Sequence, residues 1–335
     1  MLQPLGTTRL KTGESVECGI VLPPAADWTD RVEALLRHKG DPWNWQNSEL
    51  LRRKLPGIEA RFFVLHRAGR PFANILLAEA GGVGLVGHVW TEPADRGAGA
   101  SSLLLERVLE DFRHRGGRAL FLGTDPGSAA WQYYRRRGFV PIAEGSGSMV
   151  LYFEAEEAFA RAWFDSRDAR VAPLAWRHWP AAVPLFLGDF AGAVRVAASG
   201  LFGRCLSEGP LLPLLRAHAG EQGLARVLEG KRGAVLGFAS AQRDPFWPDR
   251  TVVDVFCHPD AWPRAPELLA ALALPAGARV VSYSDATLIS KREALHGAGF
   301  RLVAELPQWV QSGGASGNRV AVVVYEKILG PKAAD

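Results

Sequence analysis

Cysteine is scarce in this chain: three residues in 335, Cys18, Cys205 and Cys257, standing far apart. Such spacing offers neither a disulfide framework nor a C-x-x-C metal pair and suits a reducing compartment, so no metal site is expected. Long apolar runs are missing too, none approaching the roughly 18 residues that begin to suggest a membrane span. The first residues, MLQPLGTTRLKTGESVECG, hold no apolar stretch of the kind a secretory leader carries. These absences lead us to expect a cytoplasmic protein without membrane association. Charge of one sign is not concentrated: 39 Lys and Arg stand against 35 Asp and Glu, a formal net charge of +4. Scattered basic residues leave no electrostatic footprint for a nucleic acid, and no such partner is expected.

What is present is an ordinary globular balance, 48% hydrophobic and 22% charged, with eleven tryptophans. A chain of this length divides naturally into two domains of about 150 residues. The halves repeat each other. Gly138-Phe139-Val140-Pro141-Ile142-Ala143-Glu144 is echoed by Gly299-Phe300-Arg301-Leu302-Val303-Ala304-Glu305, with Gly, Phe, Ala and Glu in register. Upstream, the strand run ending His88-Val89-Trp90-Thr91-Glu92-Pro93 is matched by the one ending Val255-Phe256-Cys257-His258-Pro259. The pattern is that of one duplicated domain.

In the first copy, 27–39 and 45–54 carry helical periodicity. Alternating or β-branched runs at 60–67, 72–80 and 83–91, parted by glycine-rich turns, predict a meander of three strands. An amphipathic helix follows over 101–115, with Leu103, Leu104, Val108, Leu109 and Phe112 on its apolar face. A strand at 119–122, a helix at 128–137 and strands at 139–143 and 148–153 complete the copy. The charged, Ala-rich 154–170 reads as a helical connector. The second copy predicts helices at 181–190, 210–218, 266–273 and 290–296, and strands at 224–229, 235–241, 251–257, 278–283, 300–306 and 319–327. Neither copy has the strict strand–helix alternation of a doubly wound sheet.

The loop Pro93-Ala94-Asp95-Arg96-Gly97-Ala98-Gly99-Ala100-Ser101-Ser102 runs straight into the amphipathic helix. Unpaired amides and the positive dipole end of a helix attract anions, and glycines let backbone approach a diphosphate closely. On its own such a loop is equally an ordinary turn. Some thirty residues on stands Ala129-Ala130-Trp131-Gln132-Tyr133-Tyr134-Arg135-Arg136-Arg137-Gly138-Phe139. Together the two segments resemble the GNAT superfamily of acyl-CoA-dependent acyltransferases: its Q/R-x-x-G-x-G/A loop at 96–101, and its A-x-x-x-Y-x-x-x-G-F pattern at Ala130, Tyr134, Gly138 and Phe139. Ser101 departs from the usual Gly or Ala, a small residue suited to a helix N-cap.

The resemblance implies a mixed α/β fold in two tandem GNAT-like domains, each a mostly antiparallel, centrally splayed sheet flanked by helices, at 1–155 and 171–335 with a connector at 156–170. It implies acetyl-CoA or another acyl-CoA as co-substrate, no metal, and transfer to an amine of a small-molecule acceptor. The backbone of Arg96, Gly97, Ala98, Gly99, Ala100, Ser101 and Ser102 would cradle the pyrophosphate, with Ser128 nearby. Val89, Trp90 and Thr91 would pair with the pantetheine arm. Tyr134 matches the tyrosine that protonates the departing thiolate; a helix tyrosine packed on the sheet is the alternative. His88 and Glu79, on neighbouring strands, are candidate bases, although a histidine there is equally a packed core residue. Trp43 and Trp45 are candidate acceptor contacts, or packing against the other domain. The aromatic loop 244–249 is a comparable candidate.

The second copy lacks these features. Its loop, 258–266, has no glycine and three prolines, and Leu295 stands where Tyr134 would. A degenerate, non-catalytic C-terminal copy is therefore expected, in a protein that is a monomer or a homodimer. The rival class is a CoA-binding or sensing module without turnover.

Overall fold

The computed structural model describes residues 1–218, 224–244, 247–274, 277–311 and 319–330. Its first half begins with strands β1 (Leu2–Arg9) and β2 (Ser15–Val21), then helices α1 (Ala26–Leu36) and α2 (Trp43–Arg52). Strands β3 (Glu59–Arg67), β4 (Arg70–Ala80) and β5 (Val83–Thr91) precede α3 (Ala100–His114), β6 (Ala119–Gly123), α4 (Ala129–Arg135), β7 (Val140–Pro141) and β8 (Ser148–Tyr152). They build one sheet in the order β1-β2-β3-β4-β5-β6-β8-β7. Every neighbouring pair is antiparallel except β5–β6.

The second half opens with α5 (Glu156–Trp163), β9 (Arg170–Pro173), α6 (His178–Ala181), α7 (Val183–Leu187), β10 (Val194–Val196) and β11 (Leu201–Phe202). Next come α8 (Glu208–His218), β12 (Ala225–Glu229), β13 (Val235–Arg243), β14 (Arg250–Cys257), α9 (Ala265–Ala270), β15 (Arg279–Asp285), α10 (Ile289–Gly297), β16 (Arg301–Gln311) and β17 (Arg319–Ile328). The seven-stranded sheet runs β9-β12-β13-β14-β15-β17-β16, with β14–β15 its one parallel pair. This is the front order from β2 onward, strand for strand. The duplication seen in the sequence is thus a duplication of topology, a mixed α/β fold with two mostly antiparallel sheets.

Local chemistry explains most elements. In α3, Leu104, Leu105, Val108 and Phe112 fall on one face and are buried, while Glu106, Arg107 and Glu110 face solvent. Burying each such apolar side chain contributes about 1.5–3 kcal/mol. Several elements differ from the sequence reading. The β1–β2 hairpin was not predicted: Pro4 and Gly6 break the alternation of β1, and the register shifts between them. An edge strand tolerates that because one side needs no partner. The stretch 181–190 is two short helices, since Pro184 starts a second one. Strands β9, β10 and β11 are too short to show a period.

One apolar core runs through both sheets, from Val21, Trp28 and Phe62 to Trp179, Phe238 and Phe256. A second cluster, with Phe63, Leu104, Tyr134 and Phe139, lies on the α3 face of the front sheet. The Trp45 and Trp176 rings meet across the junction at 5.5 Å, and a methyl group on Gly81 would fall 2.1 Å from the Arg232 carbonyl oxygen. Among the described residues no helix is long and apolar enough to cross a membrane.

Candidate active site

Strands β5 and β6 pair only from Val83/Ala119 to Leu85/Phe121. Beyond that point β5 continues to Thr91 while β6 ends at Gly123, so the sheet opens into a cleft. On the other edge of β5, His88 and Val89 together oppose Ile75, between the pairs Leu76/Gly87 and Asn74/Trp90, which makes a β-bulge. His88 takes φ +48 there, a left-handed conformation that costs a side-chain-bearing residue about 1–2 kcal/mol. Two contacts hold it. Asn74 Nδ2 donates to the His88 carbonyl at 3.0 Å, and His88 Nε2 lies 2.6 Å from Gln46 Oε1. Gln46 Nε2 and Asn74 Oδ1 are buried with no protein partner among the described residues.

The loop after β5 turns through a 3-10 segment, Pro93–Asp95, and enters α3 through Gly97 (φ +80) and Gly99 (φ +85, the N-cap). Both angles favour glycine. The first helical residues have no preceding carbonyls to bond. As a result the amides of Gly97, Ala98, Gly99, Ala100 and Ser101 have no hydrogen-bond acceptor among the described residues. Ser101 is not the N-cap expected from sequence. It sits in the first turn, where its hydroxyl meets that of Thr91 at 3.1 Å. The β1–β2 turn lies alongside: the Lys11 amide donates to the Ala98 carbonyl at 3.0 Å, and its side chain runs over Gly99. A cleft of about 510 Å³ is lined there by Lys11, Thr12, Asp95, Arg96, Gly97 and Ala98 among others. The loop residues themselves pointed to this anion site; Lys11 gave no sequence signal because it lies about 90 positions upstream.

Residues 28–139 match the acetyltransferase (GNAT) family. This segment is a GNAT domain. Among solved structures the chain is similar to a GNAT-superfamily phosphinothricin acetyltransferase from Sinorhizobium meliloti in complex with AcCoA, at 16% identity and TM-score 0.39 over 50% of this chain and 92% of that one. It is also similar to a ribosomal-protein-alanine N-acetyltransferase from Brucella melitensis, at 15% identity and TM-score 0.36 over 48% and 99%. A third is the GNAT domain of an S. lividans protein, at 13% identity and TM-score 0.36 over 44% and 96%. No curated protein matches.

The remaining candidates of the GNAT domain separate. Tyr134 is buried between Tyr133 and Phe139, with ring centroids at 5.3 and 5.7 Å, and burial raises its phenol well above the ordinary value. Tyr133, passed over in the sequence, donates to the Ser101 carbonyl at 3.1 Å and so ties α4 to the start of α3. Ser128 caps α4 by accepting from the Trp131 amide at 3.1 Å. Arg135 and Arg137 lie over the Trp131 and Tyr133 rings. Trp90 is flanked by His38 at 3.6 Å between ring centroids, with Arg96 and Lys39 also over its ring. Trp43 meets His88 edge-on at 5.6 Å.

One expectation is corrected, and His88 and Trp45 follow the packing alternative given for each. Glu79 does not reach the cleft. It pairs with Gly84 beside the β4–β5 turn, five residues or about 17 Å along the strand from Asn74, and binds Arg115 at 2.6 Å. His88 is only 8% exposed, and burial, aided by Lys39 and His38, lowers its pKa to about 3. An imidazole of that kind holds a bulge but has little basicity at neutral pH. Trp45 packs on Trp176 and beneath Arg216 of the rear half rather than facing the cleft.

The rear counterpart differs at each step. The β13–β14 ladder is continuous from Gly237/Cys257 to Arg243/Thr251, without a bulge. Its following loop folds as the 3-10 segment Pro259–Arg264, in which His258 caps the Asp260 amide. Leu295 is fully buried at the Tyr134 position. Past Val252/Val281, where β14 and β15 part, the chain itself is bonded in. Asp285 Oδ2 accepts from the Ala193 and Val194 amides at 2.8 and 3.1 Å, and Asp254 Oδ2 from the Ala198 amide at 3.2 Å. Lys291 Nζ donates to the Val194 and Arg195 carbonyls. Of the aromatic loop 244–249, Pro245 and Phe246 lie outside the described residues; the Trp247 side chain is exposed. No group of three metal-binding side chains occurs among the described residues.

Proposed function

We propose that the front domain, 1–155, transfers an acetyl or related acyl group from acyl-CoA to an amine of a small molecule, while 171–335 serves as a non-catalytic copy. The observation that carries this reading is the run of five unpartnered amides, Gly97 to Ser101, opening onto the splayed edge of β5. Successive free N–H groups at a helix start bind an anion without any side-chain charge. Lys11 and Arg96 border them and supply the cations that a diphosphate calls for. The backbone edge of Val89, Trp90 and Thr91 beyond the last β5–β6 pair supports strand-like pairing with an amide-bearing arm. The bound co-substrate supplies a thioester, whose acyl carbon is the electrophile.

Tyr134 is the proposed proton donor to the thiolate. Its raised pKa keeps the phenol protonated at neutral pH, the form such a role requires. Incubation with acetyl-CoA and a panel of primary amines, following thiol release, tests the proposal. Calorimetric CoA binding with no release from any amine would instead establish a sensing module.

A further inference from the structure

The cleft between β5 and β6 is not closed by the GNAT domain alone. Its walls carry a glycine on each side, Gly87 just before the bulge and Gly123 at the end of β6, and both spaces are taken by residues from the rear half. A Cβ on Gly87 would lie 3.1 Å from Glu208 Oε1, and one on Gly123 would lie 3.1 Å from Leu206 Cδ2. The Glu208 carboxylate therefore sits over the backbone of β5 at the bulge, where the strand leaves its neighbour. The chain is held in place on both sides of that carboxylate. Trp179 Nε1 donates to the Glu208 carbonyl at 2.8 Å, and Gly209 rests on the Trp43 indole.

A glutamate at a helix start is common, since the helix dipole favours it there. Glu208 is unusual in its surroundings. It makes no ion pair among the described residues, the charged neighbour acting on it being Lys39 in the turn after α1. His88, which burial keeps neutral, follows Gly87 in the strand that Glu208 lies over, and His38 lies against Trp90. Protein encloses Glu208, yet its surface is still partly reached by solvent, as for a residue on a cleft floor.

We infer that Glu208, carried by the rear half, is the base that takes the proton from the acceptor's ammonium group in the front cleft. The inference rests on the acyl-transfer reading above. The ammonium gives one proton to the carboxylate and becomes a neutral amine. Its nitrogen lone pair forms the C–N bond to the acyl carbon as the C–S bond breaks, and the electron pair of that bond leaves on sulfur. The second nitrogen proton ends, through Tyr134, on the thiolate, giving free thiol, amide and a proton that Glu208 returns to water. Burial lifts the Glu208 carboxyl to about 7 while Lys39 pulls it down, which sets its basicity near working pH. The favoured acceptor is a primary amine whose stem lies along the Trp43 indole.

The test compares wild type with Glu208→Gln and Glu208→Asp, using acetyl-CoA and phenethylamine among other primary amines. Glu208→Gln is expected to lower kcat at pH 7 by about 10²–10⁴-fold with calorimetric CoA affinity unchanged, which also shows that the variant is folded. The wild-type kcat/KM profile should have an acid limb near pH 7; in the variant activity should keep rising toward the amine's own pKa, and Glu208→Asp should restore part of the rate. A Glu208→Gln variant with wild-type kcat and the same acid limb would overturn the role of Glu208 and leave acyl transfer standing. Wild type that binds CoA but releases no thiol with any amine would overturn acyl transfer, and the role of Glu208 with it.

Discussion

Replacing His88 by Asn removes an imidazole that the native fold keeps neutral far below its ordinary pKa. Asparagine tolerates the left-handed conformation at this position better than most residues, so the bulge survives the change. In the unfolded chain His88 binds a proton near pH 6.5, whereas in the folded protein it does so only near 3. Between those values the unfolded state holds the extra proton, so native stability is complete above about 6.5 and falls as the pH drops. Each unit within the window costs about 1.4 kcal/mol, and pH 5 lies about 1.5 units inside it, so about 2 kcal/mol is lost between pH 7 and 5. Glu208 works the other way: its folded pKa of about 7 lies above the ordinary 4.5, and the native state gains stability as pH falls through 7. The difference between wild type and His88→Asn, measured by urea unfolding at both pH values, isolates the imidazole. The advantage of wild type should shrink by about 2 kcal/mol on going to pH 5. An advantage constant within a few tenths of a kcal/mol would refute the argument that burial holds His88 neutral.

Three further outcomes are expected. Gly99→Val forces a β-branched residue to φ +85 at the N-cap of α3; the KM for acetyl-CoA should rise about tenfold or more, about 1.4 kcal/mol of binding, and an unchanged KM would remove the amide cradle. Tyr134→Phe should lower kcat by about 10²–10⁴-fold without altering CoA affinity, and an unaltered rate would remove it as acid. Lys291→Met leaves Asp254 unpaired in a site where both side chains are fully buried; urea unfolding should show a loss of about 3–5 kcal/mol, much of it recovered by adding Asp254→Asn.

The fold was legible where periodicity and repetition act over many residues. The meander β3–β5, helix α3 and the equivalence of the halves follow from apolar spacing and from the Gly-Phe repeat, and the glycines at 97 and 99 announced a loop needing positive φ. The surroundings of the candidate site were far less legible, because they depend on where distant segments fold back. His88 looked like a base by residue type, but its basicity is set by burial among Gln46, Trp43 and Lys39, and Glu79 looked close on a strand diagram that says nothing of the bulge. Lys11 comes in from the turn after the first strand and Glu208 from the rear half. A local motif cannot signal either one.

The single apolar interior spanning both sheets also bears on descent. Gene duplication ordinarily frees one copy to drift, be lost or become separate. Here the rear copy stays packed against the front one, with Trp176 on Trp45 and with Leu206 and Glu208 beside the open strands. With one core shared by the two sheets, a change of packing in either half is felt in the other, and the two are constrained to vary together.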